Sequence, residues 1–260
     1  MAQIEAENLT YSYPDGFVAL DDLNFRIDDG EFVCIVGHSG CGKSTLLRLI
    51  SGLALPTSGE LTIDGSPITG PGLDRAVVFQ QYSLFSWKTA AKNVEYGLHQ
   101  VDPVLTKTEL AERSLEMLSR VGMADAANLY PFQLSGGMKQ RVAIARAFIL
   151  DSDTLLLDEP FGALDQHRRM QLQKMLLDLW ESGEKRKTVV FVTHDIDEAI
   201  LLADRIFFMQ PGRIVKTFTI DFNRDRTSAA LTADSRSTQI RKELLELFAA
   251  ERIEEELYED

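Results

Sequence analysis

Apolar and polar positions alternate with a period of two at Leu23, Phe25 and Ile27, and beyond Gly30 the run Phe32 to Val36 is apolar without a break. The first pattern predicts a half-buried strand, the second a strand covered on both faces, as in a parallel sheet. From Lys43 the period lengthens: Leu46, Leu47, Leu49 and Ile50 form a helical face that stops at Gly52, and Pro56 to Gly59 reads as a turn. The order is therefore strand, glycine-rich loop, helix. Glu60 to Ile63 reads as a strand before an Asp64-Gly65 hairpin turn, and Ala76 to Phe79 as another, so the first part forms a mixed sheet.

Between about residue 82 and Pro131 the strand signals vanish. Thr106 with Glu109 forms a capping box that opens a helix, with Leu115, Leu118 and Val121 on one side until Gly122. This stretch predicts an inserted helical lobe. From Thr154 strands and helices alternate again: Leu155 to Leu157, an amphipathic helix around Gln171 to Trp180, Val189 to Val192, then Ile206 to Met209. Such alternation implies an α/β fold with a parallel sheet covered on both faces. The tail from Asp221 is polar until Ile240, Leu244, Leu245, Leu247 and Phe248 recur at helical spacing, and it ends in Glu254, Glu255, Glu256, Glu259 and Asp260. A docked helix with a solvated acidic fringe is expected there.

Composition narrows the function. The 260 residues are 45% hydrophobic and 26% charged, ordinary for a globular chain with a sizeable core. A formal charge of −13 repels phosphodiester backbones, so nucleic acid is not an expected partner. The opening MAQIEAENLT lacks the basic and apolar character of a secretory signal, and the apolar runs fall well short of the roughly 20 residues that span a bilayer. A cytoplasmic protein is expected, held at a membrane only through a partner. Cys34 and Cys41 lie seven apart without a histidine cluster, which indicates reduced thiols rather than a disulfide or zinc site.

The chemistry begins at Gly37, His38, Ser39, Gly40, Cys41, Gly42, Lys43, Ser44 and Thr45, which match the phosphate-loop pattern of glycine, four residues, then Gly-Lys-Ser. The loop sits between a buried strand and a helix start, where successive backbone N–H groups and the helix N-terminus can hold an anion. Lys43 is placed to reach the β and γ phosphates, and Ser44 to ligate Mg²⁺. The apolar run Thr154 to Leu157 ends in two carboxylates, which sheet geometry would deliver beside the loop if the two strands are neighbours. Asp158 suits Mg²⁺ binding through water, and Glu159 suits orienting and deprotonating an attacking water.

Leu134-Ser135-Gly136-Gly137-Met138-Lys139-Gln140-Arg141, some twenty residues before Asp158, resembles the signature of ATP-binding-cassette (ABC) proteins. Further motifs follow the family's order. Phe79-Gln80 is similar to the Q-loop, Ala163-Leu164-Asp165 to the D-loop, Thr193-His194-Asp195 to the switch-histidine motif, and Tyr13 to the aromatic A-loop position, with Tyr11 its competitor for adenine. The resemblance implies a P-loop NTPase cassette over residues 1 to 222. It would have a mixed sheet core, an antiparallel β subdomain, a helical subdomain at about 82 to 145, and a helical extension over 223 to 260.

It further implies ATP and Mg²⁺ as ligands, with Ser44, Gln80 and Asp158 around the metal and His194 hydrogen-bonded to the γ-phosphate. Gln80 would also sit at the hinge to the helical insertion. Ser135, Gly136 and Gly137 precede a helix expected near Met138, a second anion-binding terminus. In the family this terminus touches the γ-phosphate held by the opposite protomer, so a head-to-tail pair of identical or related cassettes is implied, with Asp165 in the nucleotide-binding set.

The overall cast is similar to ATPase subunits of nitrate, sulfonate and taurine importers, although those usually carry Leu-Leu-Pro-Trp where this chain has Leu84-Phe85-Ser86-Trp87. Such a subunit works at the cytoplasmic membrane face with an integral-membrane permease and, indirectly, an extracytoplasmic solute-binding protein. Phe85 and Trp87 are then either core fillers or anchors lining the groove for a permease helix. The alternative reading is a soluble ABC ATPase in cofactor or protein assembly. A metabolite kinase would not need the signature or His194.

Overall fold

The computed structural model describes residues 2–162, 164–183, 185–221 and 234–258, with side chains described as far as residue 250. The chain divides into two compact units, Met1–Gly70 with Thr188–Asp260, and Pro71–Lys187.

The first unit opens with strands β1 (Ile4–Ser12), β2 (Val18–Ile27) and β3 (Phe32–Val36), followed by helix α1 (Lys43–Ile50). Strands β4 (Ser58–Ile63) and β5 (Ser66–Pro67) come next. β1 lies antiparallel between β2 and β4, with Ile4 opposite both Ile27 and Ile63 and all three side chains buried. The β4–β5 turn is Asp64-Gly65, with φ of 50° and 70°. Two consecutive left-handed residues match the twist of the flanking strands, which is why an Asp-Gly pair closes this hairpin.

β3 is buried along its whole length. After β6 (Arg75–Val78), α2 (Ala90–Val101), α3 (Lys107–Arg120), α4 (Gly136–Phe148), β7 (Thr154–Asp158) and α5 (Gln166–Glu181) of the second unit, the chain returns as β8 (Thr188–Val192), α6 (Ile196–Leu202), β9 (Arg205–Gln210), β10 (Arg213–Thr219) and α7 (Ser235–Tyr258). β8 and β9 pair parallel with the two edges of β3, and β9 turns back antiparallel as β10. Every backbone group of β3 is thus offered a partner while both its faces are covered, the condition for a five-residue run with no polar side chain.

In the second unit β6 and β7 pair parallel, Arg75 opposite Thr154; α4 packs on β6, and α2, α3 and α5 pack against α4. The capping box at Thr106 forms, with Glu109 Oε2 accepting from the Thr106 amide at 2.8 Å and Thr106 Oγ1 accepting from the Glu109 amide at 3.3 Å. The Thr106 hydroxyl, which donates to Glu109 Oε2 at 2.7 Å, and then the Thr106 amide hold the Glu109 carboxyl below its ordinary pKa. The apolar face of α3 differs from the expected one. Ser114, Leu118 and Val121 are buried, spaced i, i+4, i+7, and Leu115, one residue off that line, is 47% exposed.

Candidate functional site

In the first unit the phosphate loop runs from the end of β3 into α1. Gly42 forms the N-cap of α1 with φ 109°, and a Cβ there would lie 2.7 Å from the Ala19 carbonyl oxygen. Only glycine meets both demands. Lys43 is buried, and its ammonium donates to the carbonyl oxygens of Gly37 at 2.8 Å and His38 at 2.6 Å, with Cys41 Sγ 3.7 Å away. Its stem is thereby fixed along the inside of the loop. Ser39, Gly40 and Ser44 are exposed and Thr45 is buried. Cys34 and Cys41 are buried thiols.

Tyr13, rather than Tyr11, reaches this loop: its hydroxyl is 2.9 Å from Thr45 Oγ1. Tyr11 meets the Tyr13 ring edge-on, and Phe17, 60% exposed, stacks on it at 6.3 Å. Phe17 carries no sequence pattern and was reachable only through this stacking.

His194 lies between β8 and α6, exposed, in a turn that is tightly braced. The Thr193 amide donates to the Ile35 carbonyl at 3.1 Å, which seats the turn beside the end of β3. Thr193 Oγ1 donates to buried Glu198 Oε2 at 2.6 Å and accepts from the Asp195 amide, while Asp195 caps α6 by accepting from the Glu198 amide. Glu198 is a supporting residue that sequence spacing did not mark.

The second unit carries the carboxylates and the signature. β7 is buried through Leu157 and emerges at Asp158. Both edges of β3 are taken by β8 and β9, whereas β7 pairs with β6, so the strand adjacency on which the sequence argument was conditioned is not met. Glu159 follows with φ 41°, a left-handed backbone uncommon for a residue with a Cβ. Gln80 Nε2 points at Glu159 Oε2 across 3.5 Å, so the two expected water-handling side chains meet in one unit.

The signature helix starts two residues earlier than expected. Ser135 is the N-cap of α4, its Oγ accepting from the Met138 amide at 3.4 Å, and Gly136 and Gly137 form the first turn. A Cβ on Gly136 would lie 3.0 Å from the Tyr82 hydroxyl. Tyr82 and Ser83 both adopt left-handed backbones, φ 48° and 47°, and Arg146 of α4 donates to the Ser83 carbonyl at 2.8 Å and the Tyr82 carbonyl at 3.4 Å. Burial pulls the Arg146 guanidinium below its usual pKa. The exit of the Gln80 loop is therefore tied to the signature helix through a residue that sequence reasoning missed. Asp165 caps α5 by accepting from the Arg168 amide at 3.0 Å; Ala163, the first residue of the expected D-loop, lies outside the described residues.

Beyond the Gln80 loop, Asn93 is fully buried and organises the aromatic segment. Its Oδ1 accepts from the Phe85 amide at 2.8 Å, and its Nδ2 faces the carbonyls of Phe85, Lys88 and Thr89 at 3.0 to 3.2 Å. Phe85 is half-buried between Trp87 and Tyr96, at 5.4 and 4.7 Å, and Trp87 is 71% exposed. Phe85 is thus a filler and Trp87 a protruding aromatic on a rigid loop.

Among the described residues no helix is long and apolar enough to cross a membrane, and no cluster of three His, Cys, Asp or Glu is placed to hold a metal ion.

Comparison with known proteins places these features. The ABC transporter family matches residues 20–162. The nitrate import ATP-binding protein NrtD of Synechococcus elongatus is 48% identical over 241 residues, 91% of this chain and 87% of that protein. The bicarbonate transport ATP-binding protein CmpD of Synechocystis is 43% identical over 251 residues, 94% and 88% respectively. Among solved structures, the dimeric ATP-binding cassette MJ0796 in a post-hydrolysis state with ADP and Pi superimposes with a TM-score of 0.75 at 35% identity, covering 85% of this chain and all of that one. CbiO1 of Clostridium perfringens, part of the complex cbiONQ, gives 0.76 at 31% identity, covering 97% and 98%. The chain belongs to the ABC transporter family, as one of its ATP-hydrolysing cassettes.

Proposed function

We propose that this cassette is the ATPase subunit of an importer for a small anion of the nitrate, bicarbonate or sulfonate kind, working as a head-to-tail pair at the cytoplasmic face of the membrane. Solute class is supported by the 48% identity to a nitrate-import subunit and 43% to a bicarbonate-transport subunit. The loop from Gly37 to Thr45 holds the phosphates of ATP, with Lys43 on the β and γ groups and Tyr13 against adenine. Ser44, Gln80 and Asp158 offer only oxygen and amide donors, a set suited to Mg²⁺, which keeps several waters and shares phosphate oxygens. When bound, Mg²⁺ neutralises charge on those phosphates. Glu159 takes the proton of the attacking water, Gln80 orients that water, and His194, on its braced turn, hydrogen-bonds the γ-phosphate.

The observation that carries the paired arrangement is the capped, glycine-rich start of α4. Such an N-terminus is shaped to meet an anion, and the similar cassette MJ0796 was solved as a dimer. A second protomer presents the phosphate that Ser135, Gly136 and Gly137 recognise, and ATP then bridges the pair across an isologous interface. Ser135→Arg is expected to leave nucleotide binding by the single protomer within about twofold while abolishing ATP-dependent dimers in light scattering. A normal ATP-dependent dimer in that variant would show that the signature faces no partner.

The permease is expected to dock on the protruding aromatic segment after Gln80. Replacing both Phe85 and Trp87 by alanine should cost about tenfold or more in permease affinity, measured by co-purification with the membrane subunit, because Trp87 is an exposed aromatic of the kind that dominates interface energy and Phe85 packs against it. Retained association with coupled turnover would reject this surface. The assembly-ATPase alternative predicts instead that no polytopic membrane protein co-purifies.

A further inference from the structure

The phosphate loop is in contact with the far end of the chain. His38, the second residue of the loop, has its Nε2 3.0 Å from the carbonyl oxygen of Phe248 on α7, 210 positions later, where the imidazole N–H donates to that oxygen. The rings of the two residues meet edge to face with centroids 4.9 Å apart. Phe248 in turn packs edge to face against Phe208 at 5.1 Å, and Phe208 sits opposite Val36, the residue that leads β3 into the loop. The same His38 offers its backbone carbonyl to the Lys43 ammonium at 2.6 Å. A continuous path therefore runs from the lysine, through one loop residue, to α7.

The helix that supplies Phe248 is docked between Arg241 and Phe248. Leu244 is fully buried, Arg241 makes a two-pronged pair with Asp197 at 2.6 and 3.2 Å, and Lys216 meets Glu243 at 2.7 Å. These contacts fix the register of α7, and that register delivers Phe248 to the loop.

We propose that Phe248 is a positioning residue of the nucleotide site, acting through His38 to hold the phosphate loop in its anion-binding shape. The proposal rests on the reading of this loop as the ATP phosphate site. Aromatic edge contacts and a hydrogen bond to a helix carbonyl restrain the His38 backbone, and its carbonyl is one of two that orient Lys43. Without the restraint, binding phosphate must also order the loop, and affinity falls by that cost.

The test is a double-mutant cycle on the full chain, read as MgATP affinity by calorimetry, with Phe248→Ala, His38→Ala, the double variant and Lys43→Ala. Phe248→Ala removes the ring contact but keeps the carbonyl and is expected to weaken MgATP binding about fivefold; His38→Ala removes both contacts and is expected to cost about tenfold, and the double variant no more than about twofold beyond His38→Ala, because the imidazole already carries the ring contact that Phe248→Ala deletes. A structural role for Phe248 unrelated to the loop gives losses that multiply, and that outcome, or unchanged affinity in Phe248→Ala, overturns the proposal. Should Phe248→Ala fail to fold, Phe248→Leu keeps apolar volume against Phe208 and carries the same cycle. Lys43→Ala separates the two levels. If it loses MgATP while the cycle is additive, the loop reading stands and the role of Phe248 falls; if it binds MgATP normally, the loop reading falls and this proposal with it.

Discussion

Glu159→Gln should retain ATP yet lower its hydrolysis by about 10²- to 10⁴-fold, the usual contribution of a positioned general base. The amide matches the carboxylate in size and can adopt the same left-handed backbone, φ 41°, and it preserves the approach of Gln80 at 3.5 Å, so the site's shape survives. What is lost is the capacity to accept a proton from water. Because ATP bridges the two protomers in the proposed cycle and hydrolysis opens them, the variant should accumulate as an ATP-bound dimer. Phosphate release and light scattering on the same sample read both effects. Turnover at the wild-type rate would remove Glu159 from the role of base, and loss of hydrolysis without dimer accumulation would separate catalysis from closure.

Lys43→Ala should act one step earlier, on nucleotide binding itself. The ammonium is buried and donates to the Gly37 and His38 carbonyls, so its removal deletes both the charge that meets the β and γ phosphates and the strut that braces the loop. Truncating a desolvated charge that pairs with another costs several kcal/mol, which corresponds to an affinity loss of about 100-fold or more. A fluorescent ATP analogue titrated against both proteins measures it directly. The ATP-induced rise in Tm should vanish. Undiminished affinity would undo the assignment of the loop.

Much of this was legible in the chain because local chemistry dictated it. The phosphate loop announces itself by glycines that only a tight anion-cradling backbone requires, and the Thr106 capping box by two side chains three residues apart. The apolar runs Phe32–Val36 of β3 and Val189–Val192 of β8 carry no polar residue, so their burial on both faces follows from sequence. Other features depend on partners remote in sequence. β10 was missed since most of it is exposed and its residues lack alternation. α2 lies in a polar stretch, and its key side chain, Asn93, reads as a surface residue until its hydrogen bonds to Phe85, Lys88 and Thr89 are seen. The left-handed backbones of Tyr82, Ser83 and Glu159 leave no trace because none is glycine or asparagine, the types that advertise that conformation. The start of α4 was misplaced by two residues since glycines argue against a helix interior, yet in a first turn capped by Ser135 their cost is small.

The order of strands around β3 bears on how the protein is made. β3 emerges early from the ribosome, but the two strands that flank it, β8 and β9, are encoded beyond residue 187, and α7 later still. The central strand, with no polar side chain to keep it soluble alone, must wait for most of translation before its hydrogen bonds close. A nascent chain halted before β9 therefore displays an open, sticky edge beside an unformed nucleotide pocket, a natural client for chaperones and a fragment without residual ATP binding.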